Sequence, residues 1–243
     1  MTPIAKYNMG FYYEQLDIDH QYDYKALAAG ISAYQTEAEV SDMDEKALRK
    51  VVLAVKYDNP ELFYWDTSEL PRLNGGKLYL QYKTESAEEA KAQVQMLREK
   101  RNVILNDLKS EGDCSGRELL ERVYMHLVKN VSYADDELQK PGCAPWIYDI
   151  QGPLLKERGV CLGIAQTLLY LCRPLHIPMI LVTGEATIAG WKSNHAWNLV
   201  KLDEEWYHAD VTGEICDHTS CFLLKDEDFS DRSWPKSIYS AVI

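Results

Sequence analysis

The first half of the chain carries apolar residues at the spacing of amphipathic helices. In segments 22–38 and 44–63 the apolar positions recur every three or four residues, which predicts two helices. The second helix is expected to stop at Asp58-Asn59-Pro60, because proline cannot continue a helix and disfavours helical geometry in the residue before it.

Two further helices and a pair of short strands are expected in the same half. Segment 86–112 predicts a long helix, with Ser86 at its N-cap and Gly112 after its end. Segment 115–133 repeats the helical pattern. Segments 62–65 (LFYW) and 77–83 (KLYLQYK) are separated by a glycine pair and predict short strands.

The second half changes from a helical period to alternation. An irregular, proline-rich stretch at 134–153 leads to an apolar helix from Cys161 to Cys172. After Pro178, alternating segments predict strands, namely 179–184, 195–202, 205–212 and 221–224. Helices followed by strands indicate an α+β fold. We place a mainly helical region at 1–112 and a second domain at 113–243.

Composition and charge limit the classes of partner. The chain has 243 residues, 46% of them hydrophobic, which is enough for a sizeable core. Its net charge is -12 and it has no basic run, so a nucleic-acid partner is not expected. The longest apolar run is broken by Arg173, His176 and two prolines, which predicts no membrane span. The N-terminus does not resemble a signal peptide. We expect a cytoplasmic protein, or a secreted or cell-surface one if a signal segment was removed.

The six cysteines are expected to be mostly reduced thiols. An even count would permit three disulfides, but the chain is long and shows no dense cysteine framework. The stretch CDHTSC offers Cys216, His218 and Cys221 as soft metal ligands. It contains no C-x-x-C pair and no evident fourth ligand, so we expect no zinc there.

Cys161 is a candidate nucleophile because of its position at the start of a predicted helix. It lies in ERGVCLGIAQTLLYL, between two glycines and at the start of an apolar helix. A lone cysteine is usually a small buried hydrophobe. It is a nucleophile where a helix N-terminus favours the thiolate, and it then needs a base and a group that orients the base.

Strand register brings a histidine and an aspartate together downstream. A two-residue turn at Asp203-Glu204 would pair Leu199 with His208 and Trp197 with Asp210. His195, Trp197 and Asp210 then share one face of the sheet, with Asp210 as the diagonal neighbour of His195 at about 7–8 Å. His208 lies on the same face and is the rival base.

Together these motifs resemble the transglutaminase-like superfamily. The resemblance covers about Gln151 to Thr212 and is carried by RGVCLGIAQTLLYL, then His-Ala-Trp-Asn, then Trp-Tyr and Ala-Asp-Val-Thr in that order. Members of this superfamily share a papain-like arrangement of cysteine, histidine and aspartate. The resemblance therefore implies an antiparallel sheet packed on the cysteine-bearing helix.

The resemblance also implies roles for individual residues. Cys161 matches the nucleophile, His195 the general base and acid, and Asp210 the group that orients the imidazole. The backbone N–H of Cys161 is a natural oxyanion donor, with the Gln151 side chain as a second candidate. Trp197 lies on the same face, which favours a place in the wall of the cleft.

Two departures from the pattern of the superfamily are visible. Many relatives carry an aromatic residue near position 151, where this chain has glutamine. After Asp210, relatives often continue Thr-Trp-Asp, whereas here the chain reads Thr212-Gly213-Glu214.

The expected function is cysteine-dependent acyl transfer on an amide or peptide bond through a thioester. We expect a hydrolase acting on a peptide or protein substrate, without metal or organic cofactor. The alternatives are a protein cross-linking transglutaminase, in which an amine resolves the thioester, and a non-catalytic protein-binding module that retains the fold.

Overall fold

The computed structural model describes residues 3–112, 114–188 and 190–239. By its packing the chain divides into two compact units, Met1–Arg98 and Glu99–Ile243. The division falls inside one long helix, Ala87–Ser110, whereas the sequence places the boundary after residue 112. The sequence pattern does not indicate a boundary inside this helix, because its apolar period continues without a break.

The first unit combines helices with a small antiparallel sheet. Asp17 and Asp44 cap its two longer helices by accepting hydrogen bonds from His20 N–H and Ala47 N–H. In chain order its elements are α1 Phe11–Glu14, α2 Ile18–Ser32, β1 Glu37–Glu39, α3 Glu45–Asp58, β2 Leu73–Asn74, β3 Lys77–Tyr79 and the start of α4 Ala87–Ser110.

Three predicted elements of this unit differ from the structure. The helix predicted over 22–38 ends at Ser32, and the chain forms β1 at Glu37–Glu39. The strand predicted over 77–83 covers only Lys77–Tyr79. The helix α3 ends at Asp58 as expected, and the glycine pair Gly75-Gly76 turns the chain between β2 and β3. The strand predicted at 62–65 is wrong: a 3-10 helix at Pro60–Leu62 and a turn take its place. Proline at the first position of a helical turn favours this geometry, since its fixed φ and missing N–H suit a helix start.

The second unit carries the larger sheet. Its helices are α5 Gly116–Asn130, α6 Asp135–Leu138, α7 Cys161–Cys172, α8 Val211–Asp217 and α9 Lys236–Tyr239. Its strands are β4 Ser132–Tyr133, β5 Arg158–Gly159, β6 Met179–Ile188, β7 Trp191–Leu202, β8 Glu205–Ala209, β9 Phe222–Leu224 and β10 Arg232–Ser233.

The helix that begins at Cys161 packs against an antiparallel sheet. The strand order is β10-β6-β7-β8-β9, and α7 lies on β6 and β7. The buried Asn198 amide on β7 donates to the Ala165 carbonyl of α7 at 3.1 Å. This bond fixes the helix against the strand that carries His195. The predicted α+β class, with an antiparallel sheet on the cysteine-bearing helix, is confirmed.

The register of β7 and β8 follows the two-residue turn deduced from the sequence. Asp203 and Glu204 both adopt positive φ, 49° and 66°, as a tight hairpin turn requires. Leu199 consequently pairs with His208 across the ladder. The strand β8 is shorter than the predicted segment 205–212, because it ends at Ala209. Asp210 caps α8 instead, and residues 211–212, predicted as strand, form the first turn of that helix.

The segment before Cys161 is held close to α7. Val160 N–H donates to the Ile147 carbonyl at 3.0 Å, and β5 pairs in parallel with β4. At Gly163 a Cβ atom would lie 2.5 Å from the Ile147 carbonyl oxygen, so only glycine lets this segment approach the helix so closely.

All six cysteines are free thiols in this structure. Among the helices within the described ranges, none has the length and apolar character needed to cross a bilayer.

Candidate active site

Cys161 is the first residue of α7 and is half-buried. The preceding Val160 has extended backbone geometry, and no side chain in the described part of the chain caps the helix. The first N–H groups of a helix lack intrahelical partners and carry partial positive charge. The start of α7 therefore offers donors to an anion next to the Cys161 sulfur.

His195 and Asp210 form a buried pair. His195 Nε2 lies 2.8 Å from Asp210 Oδ2, and the two side chains are 3% and 1% exposed. Asp210 reaches the imidazole from the turn after β8 rather than from within a strand. Because Nε2 is engaged by the carboxylate, Nδ1 is the ring nitrogen left for the Cys161 thiol.

His195 is held in its charged form at neutral pH. Burial by itself lowers the pKa of His195, but the charge and hydrogen bond of Asp210, together with the hydrogen bond and charge of Cys161, raise it to about 9. An imidazolium beside the sulfur favours the thiolate, which is the nucleophilic form of cysteine.

Asp210 has no unused oxygen. Oδ1 accepts the Gly213 N–H at 2.9 Å. Oδ2 accepts from His195 and from Arg232, whose Nη2 lies at 2.7 Å and Nε at 3.2 Å. Burial raises the pKa of Asp210, but His195, Arg232 and the Gly213 N–H outweigh it and hold this pKa below its usual value. The carboxylate is therefore ionised.

Arg232 and Tyr124 are contacts of Asp210 that sequence reasoning missed. The buried Tyr124 hydroxyl donates to the Asp210 carbonyl at 3.1 Å and to Glu214 Oε2 at 2.8 Å, which ties α5 to the turn that carries the carboxylate. Neither residue lies in the motifs of the resemblance. Arg232 stands 22 residues beyond Asp210 and Tyr124 stands 86 residues before it, so no local spacing points to them.

Trp197 lies beneath His195 rather than in the wall of the cleft. It is only 1% exposed, and its ring stacks on the imidazole with centroids 5.7 Å apart. Its Nε1–H donates to His208 Nδ1 at 2.9 Å. The interior position follows from the β6 side of the sheet, where Gly184 leaves room for the indole: a Cβ there would lie 3.0 Å from its Cη2.

His208, the rival base, is occupied on both ring nitrogens. Nδ1 accepts from Trp197, and Nε2 lies 2.9 Å from Asp226 Oδ1. Burial lowers the pKa of His208, against the hydrogen bond and charge of Asp226 that raise it. The ring is thus a neutral support, packed between Phe229 and Trp234 at centroid distances of 4.4 and 4.6 Å.

Gln151 precedes a π-helical turn at Gly152–Lys156 and is half-buried. Its backbone N–H donates to Asp149 Oδ1 at 2.9 Å, which fixes the chain at this point. Its role as a side-chain oxyanion donor stays a prediction.

A pocket of about 540 Å³ opens beside His195. Its lining includes Trp191, which is 80% exposed, and Asp135 and Leu138 of α6. The remaining lining residues are Tyr133, Gln139, Ser193, Thr212 and Cys216. The pocket thus offers an aromatic ring, an aliphatic side chain and a carboxylate next to the imidazole. Among the residues that the structure describes, no three His, Cys, Asp or Glu side chains are grouped as a metal site.

A cysteine-bearing helix on an antiparallel sheet is the arrangement that the resemblance implied, and the sequence profile of the transglutaminase-like superfamily matches residues 105–211. The predicted resemblance to that superfamily is therefore confirmed. The match contains Cys161, His195 and Asp210 and ends before the β9 and β10 strands. No curated protein sequence matches the chain significantly.

Several solved structures are similar to this chain. A TGase crystal structure shares 15% identity and a TM-score of 0.43 over 74% of this chain and 50% of its own. A candidate cysteine protease from Cytophaga hutchinsonii shares 16% identity and a TM-score of 0.39 over 56% of this chain and 46% of its own. Menin, solved with its binding site for the Mixed Lineage Leukemia (MLL) protein, shares 18% identity and a TM-score of 0.34, over 63% of this chain and 31% of its own. The chain spans half or less of the length of each.

Proposed function

We propose that this chain is a cysteine-dependent hydrolase of amide or peptide bonds that works through a thioester on Cys161. The observation that carries the proposal is the buried His195–Asp210 hydrogen bond next to a thiol at an uncapped helix start. A thiol, an imidazole and an orienting carboxylate are the set that nucleophilic acyl transfer needs.

In the first half of the reaction, the Cys161 thiolate attacks the amide carbonyl carbon. A carbon–sulfur bond forms, and the negative charge moves to the carbonyl oxygen, where the first N–H groups of α7 stabilise it. The carbon–nitrogen bond then breaks, and His195 gives its proton to the leaving amine. Asp210 holds the imidazole in place and stabilises its positive charge throughout.

In the second half, neutral His195 takes a proton from water, which attacks the thioester carbonyl. The new carbon–oxygen bond forms as the carbon–sulfur bond breaks, so the carboxylic acid is released and the Cys161 thiolate again lies beside protonated His195. An amine in place of water would give a transamidation product, so the choice between a hydrolase and a cross-linking enzyme depends on which nucleophile reaches the thioester.

Thiol labelling tests whether Cys161 is activated at all. We expect iodoacetamide at pH 6.5 to modify Cys161 much faster than the other five thiols, as located by peptide mass spectrometry. The contrast is favoured because burial raises the pKa of Cys216 to about 11 and of Cys221 to about 12, and also raises that of Cys172. Equal labelling of Cys161 and Cys114 would indicate a non-catalytic protein-binding module.

Trapping the acyl-enzyme tests the reaction. Incubation with a pool of peptides and rapid acid quenching should leave a thioester adduct on Cys161, and Cys161→Ser should leave none. Addition of a primary amine such as cadaverine separates the two outcomes: release of free acid supports the hydrolase, and release of the cadaverine amide supports a transglutaminase.

A further inference from the structure

The guanidinium of Arg232 is fixed against the carboxylate that orients His195. Arg232 lies on β10, outside the segment that matches the superfamily, and its side chain is 1% exposed. Nη2 and Nε both donate to Asp210 Oδ2, and Nη1 donates to Asp231. The Phe229 ring lies against the guanidinium carbon at 4.8 Å. These contacts with Asp210, Asp231 and Phe229 fix the orientation of the guanidinium.

Gly213 provides the space that this arrangement needs. A Cβ atom at position 213 would lie 2.3 Å from Arg232 Nη2 and 2.8 Å from Asp210 Oδ2, both well inside van der Waals contact. Gly213 stands where relatives often have the tryptophan of Thr-Trp-Asp. A side chain there and the Arg232–Asp210 pair exclude each other.

We propose that Arg232 is a positioning residue for the proposed reaction, which holds Asp210 ionised and aimed at His195, and that position 213 is glycine in order to admit it. This inference rests on the proposed function, since the value of the positioned carboxylate is its effect on the Cys161–His195 pair.

The Asp210 carboxylate has no exposure to solvent. Burial favours the neutral acid, and a neutral acid gives His195 no charge to stabilise the imidazolium. The two charge-assisted bonds from Arg232 oppose protonation and also restrict rotation of the carboxylate. Without them the imidazolium loses support, so the thiolate forms at higher pH.

Other titratable groups near Asp210 and His195 are Cys161, Tyr124, His208, Glu214, Cys216 and Cys221. The thiols of Cys216 and Cys221 have pKa values raised to about 11 and 12, and burial also raises that of Tyr124. These three groups stay neutral between pH 5 and 9. Asp231 faces Arg232 from the neighbouring position and shares its charge.

The test follows the pH dependence of Cys161 alkylation by iodoacetamide in the full chain. We expect Arg232→Met to raise the apparent pKa of alkylation by about one unit, which lowers the rate at pH 6 about tenfold. Arg232→Lys keeps the charge with less hydrogen bonding and should give a smaller rise. A role confined to folding stability would leave the profile of the folded protein unchanged.

Gly213→Ala tests the same contact with both charges retained. Its methyl group displaces the guanidinium, so the apparent pKa should rise as in Arg232→Met, and the same methyl should have a smaller effect in the Arg232→Met background. Gly116→Ala is the matched control, because a Cβ there meets nothing within 4 Å. Circular dichroism establishes which variants are folded.

The proposal is overturned if the folded Arg232 variants show the wild-type pH profile of Cys161 alkylation. It is also overturned if their apparent pKa of alkylation is lower, which would follow if the arginine only offset the charge of Asp210. If Arg232→Met does not fold, Arg232→Lys and Gly213→Ala decide by the same criterion. Failure of the proposed function gives a different result, in which Cys161 of the wild type reacts no faster than the other thiols.

Discussion

The Trp197 indole donates its N–H to His208 Nδ1 at 2.9 Å, and its ring lies against the His195 imidazole. Asp226 holds the opposite nitrogen of His208. A chain of hydrogen bonds and ring contacts thus runs from the surface near β9 to the underside of the candidate base. The two histidines on one face of the sheet have different contacts. His195 is hydrogen-bonded to the Cys161 thiol, whereas His208 accepts a hydrogen bond from Trp197, which lies beneath His195.

Removal of His208 should therefore affect stability rather than thiol chemistry. We expect His208→Ala to lower the free energy of unfolding by about 2–4 kcal/mol, since a buried ring is lost and Trp197 Nε1–H is left without its acceptor. The pH profile of Cys161 alkylation should keep its wild-type midpoint. Urea unfolding and alkylation rates measure the two effects.

His208→Gln is the control for that variant, because it keeps both a donor and an acceptor at the position. It should recover part of the lost stability. Loss of Cys161 reactivity in both variants, with the fold retained, would instead make His208 the base.

Replacement of Asp210 by asparagine should impair both the chemistry and the fold. The amide carries no charge, so the imidazolium is less stable and acylation should slow by roughly 10³-fold or more. The apparent pKa of Cys161 alkylation should rise. Because Arg232 would then be a buried cation without its carboxylate, the variant should also lose about 3–5 kcal/mol of stability.

The double variant Asp210→Asn with Arg232→Met separates the two losses. It removes the unpaired cation, so stability should return in part while acylation stays slow. Recovery of the acylation rate along with stability would contradict the role given to the carboxylate.

The exposed Trp191 should contribute to substrate binding but not to thiol activation. We expect Trp191→Ala to slow inactivation by a peptide-derived chloromethyl ketone several-fold and to leave the rate with iodoacetamide unchanged, since only the larger reagent reaches the pocket wall. With the chloromethyl ketone, the inactivation rate of Trp191→Phe should lie between those of the wild type and Trp191→Ala. Tyr22→Ala removes a comparably exposed aromatic ring, 67% exposed, outside the pocket, and should change neither rate. Equal slowing with both reagents would place Trp191 in the support of the thiol itself.

Asp58 in the first unit should make stability depend on pH. Burial raises the pKa of Asp58 to about 6, against hydrogen bonds from the Tyr13 and Tyr12 N–H groups and the Tyr24 hydroxyl that lower it. The native state therefore binds this proton more tightly than the unfolded chain, so the contribution of Asp58 to the free energy of unfolding falls as pH rises from about 4 to about 6. The full change is about 3 kcal/mol.

Urea unfolding of the wild type and Asp58→Asn at several pH values measures that change. The stability of the variant relative to the wild type should increase between pH 4 and 6 and then level off. A difference that is constant over this range would show that Asp58 is not protonated on folding.

The sequence by itself determined the elements whose pattern is local. The α5 helix was predictable from its apolar period, and in the structure it begins with a reciprocal cap between Ser115 and Glu118. The hairpin of β7 and β8 follows from strand parity and a two-residue turn, so the pairing of Leu199 with His208 was predictable. The order of Cys161, His195 and Asp210 along the chain was recognisable because it resembles the order of motifs in the transglutaminase-like superfamily.

Tertiary structure alone decided what surrounds those residues. Asp210 leaves the strand and caps α8, because its side chain finds the Gly213 N–H, and Trp197 turns inward because Gly184 leaves room for it. Arg232 meets Asp210 only when β10 pairs with β6, a contact between residues distant in sequence. Local propensity and periodicity carry no information about such contacts, since they depend on which surfaces the packed sheet brings together.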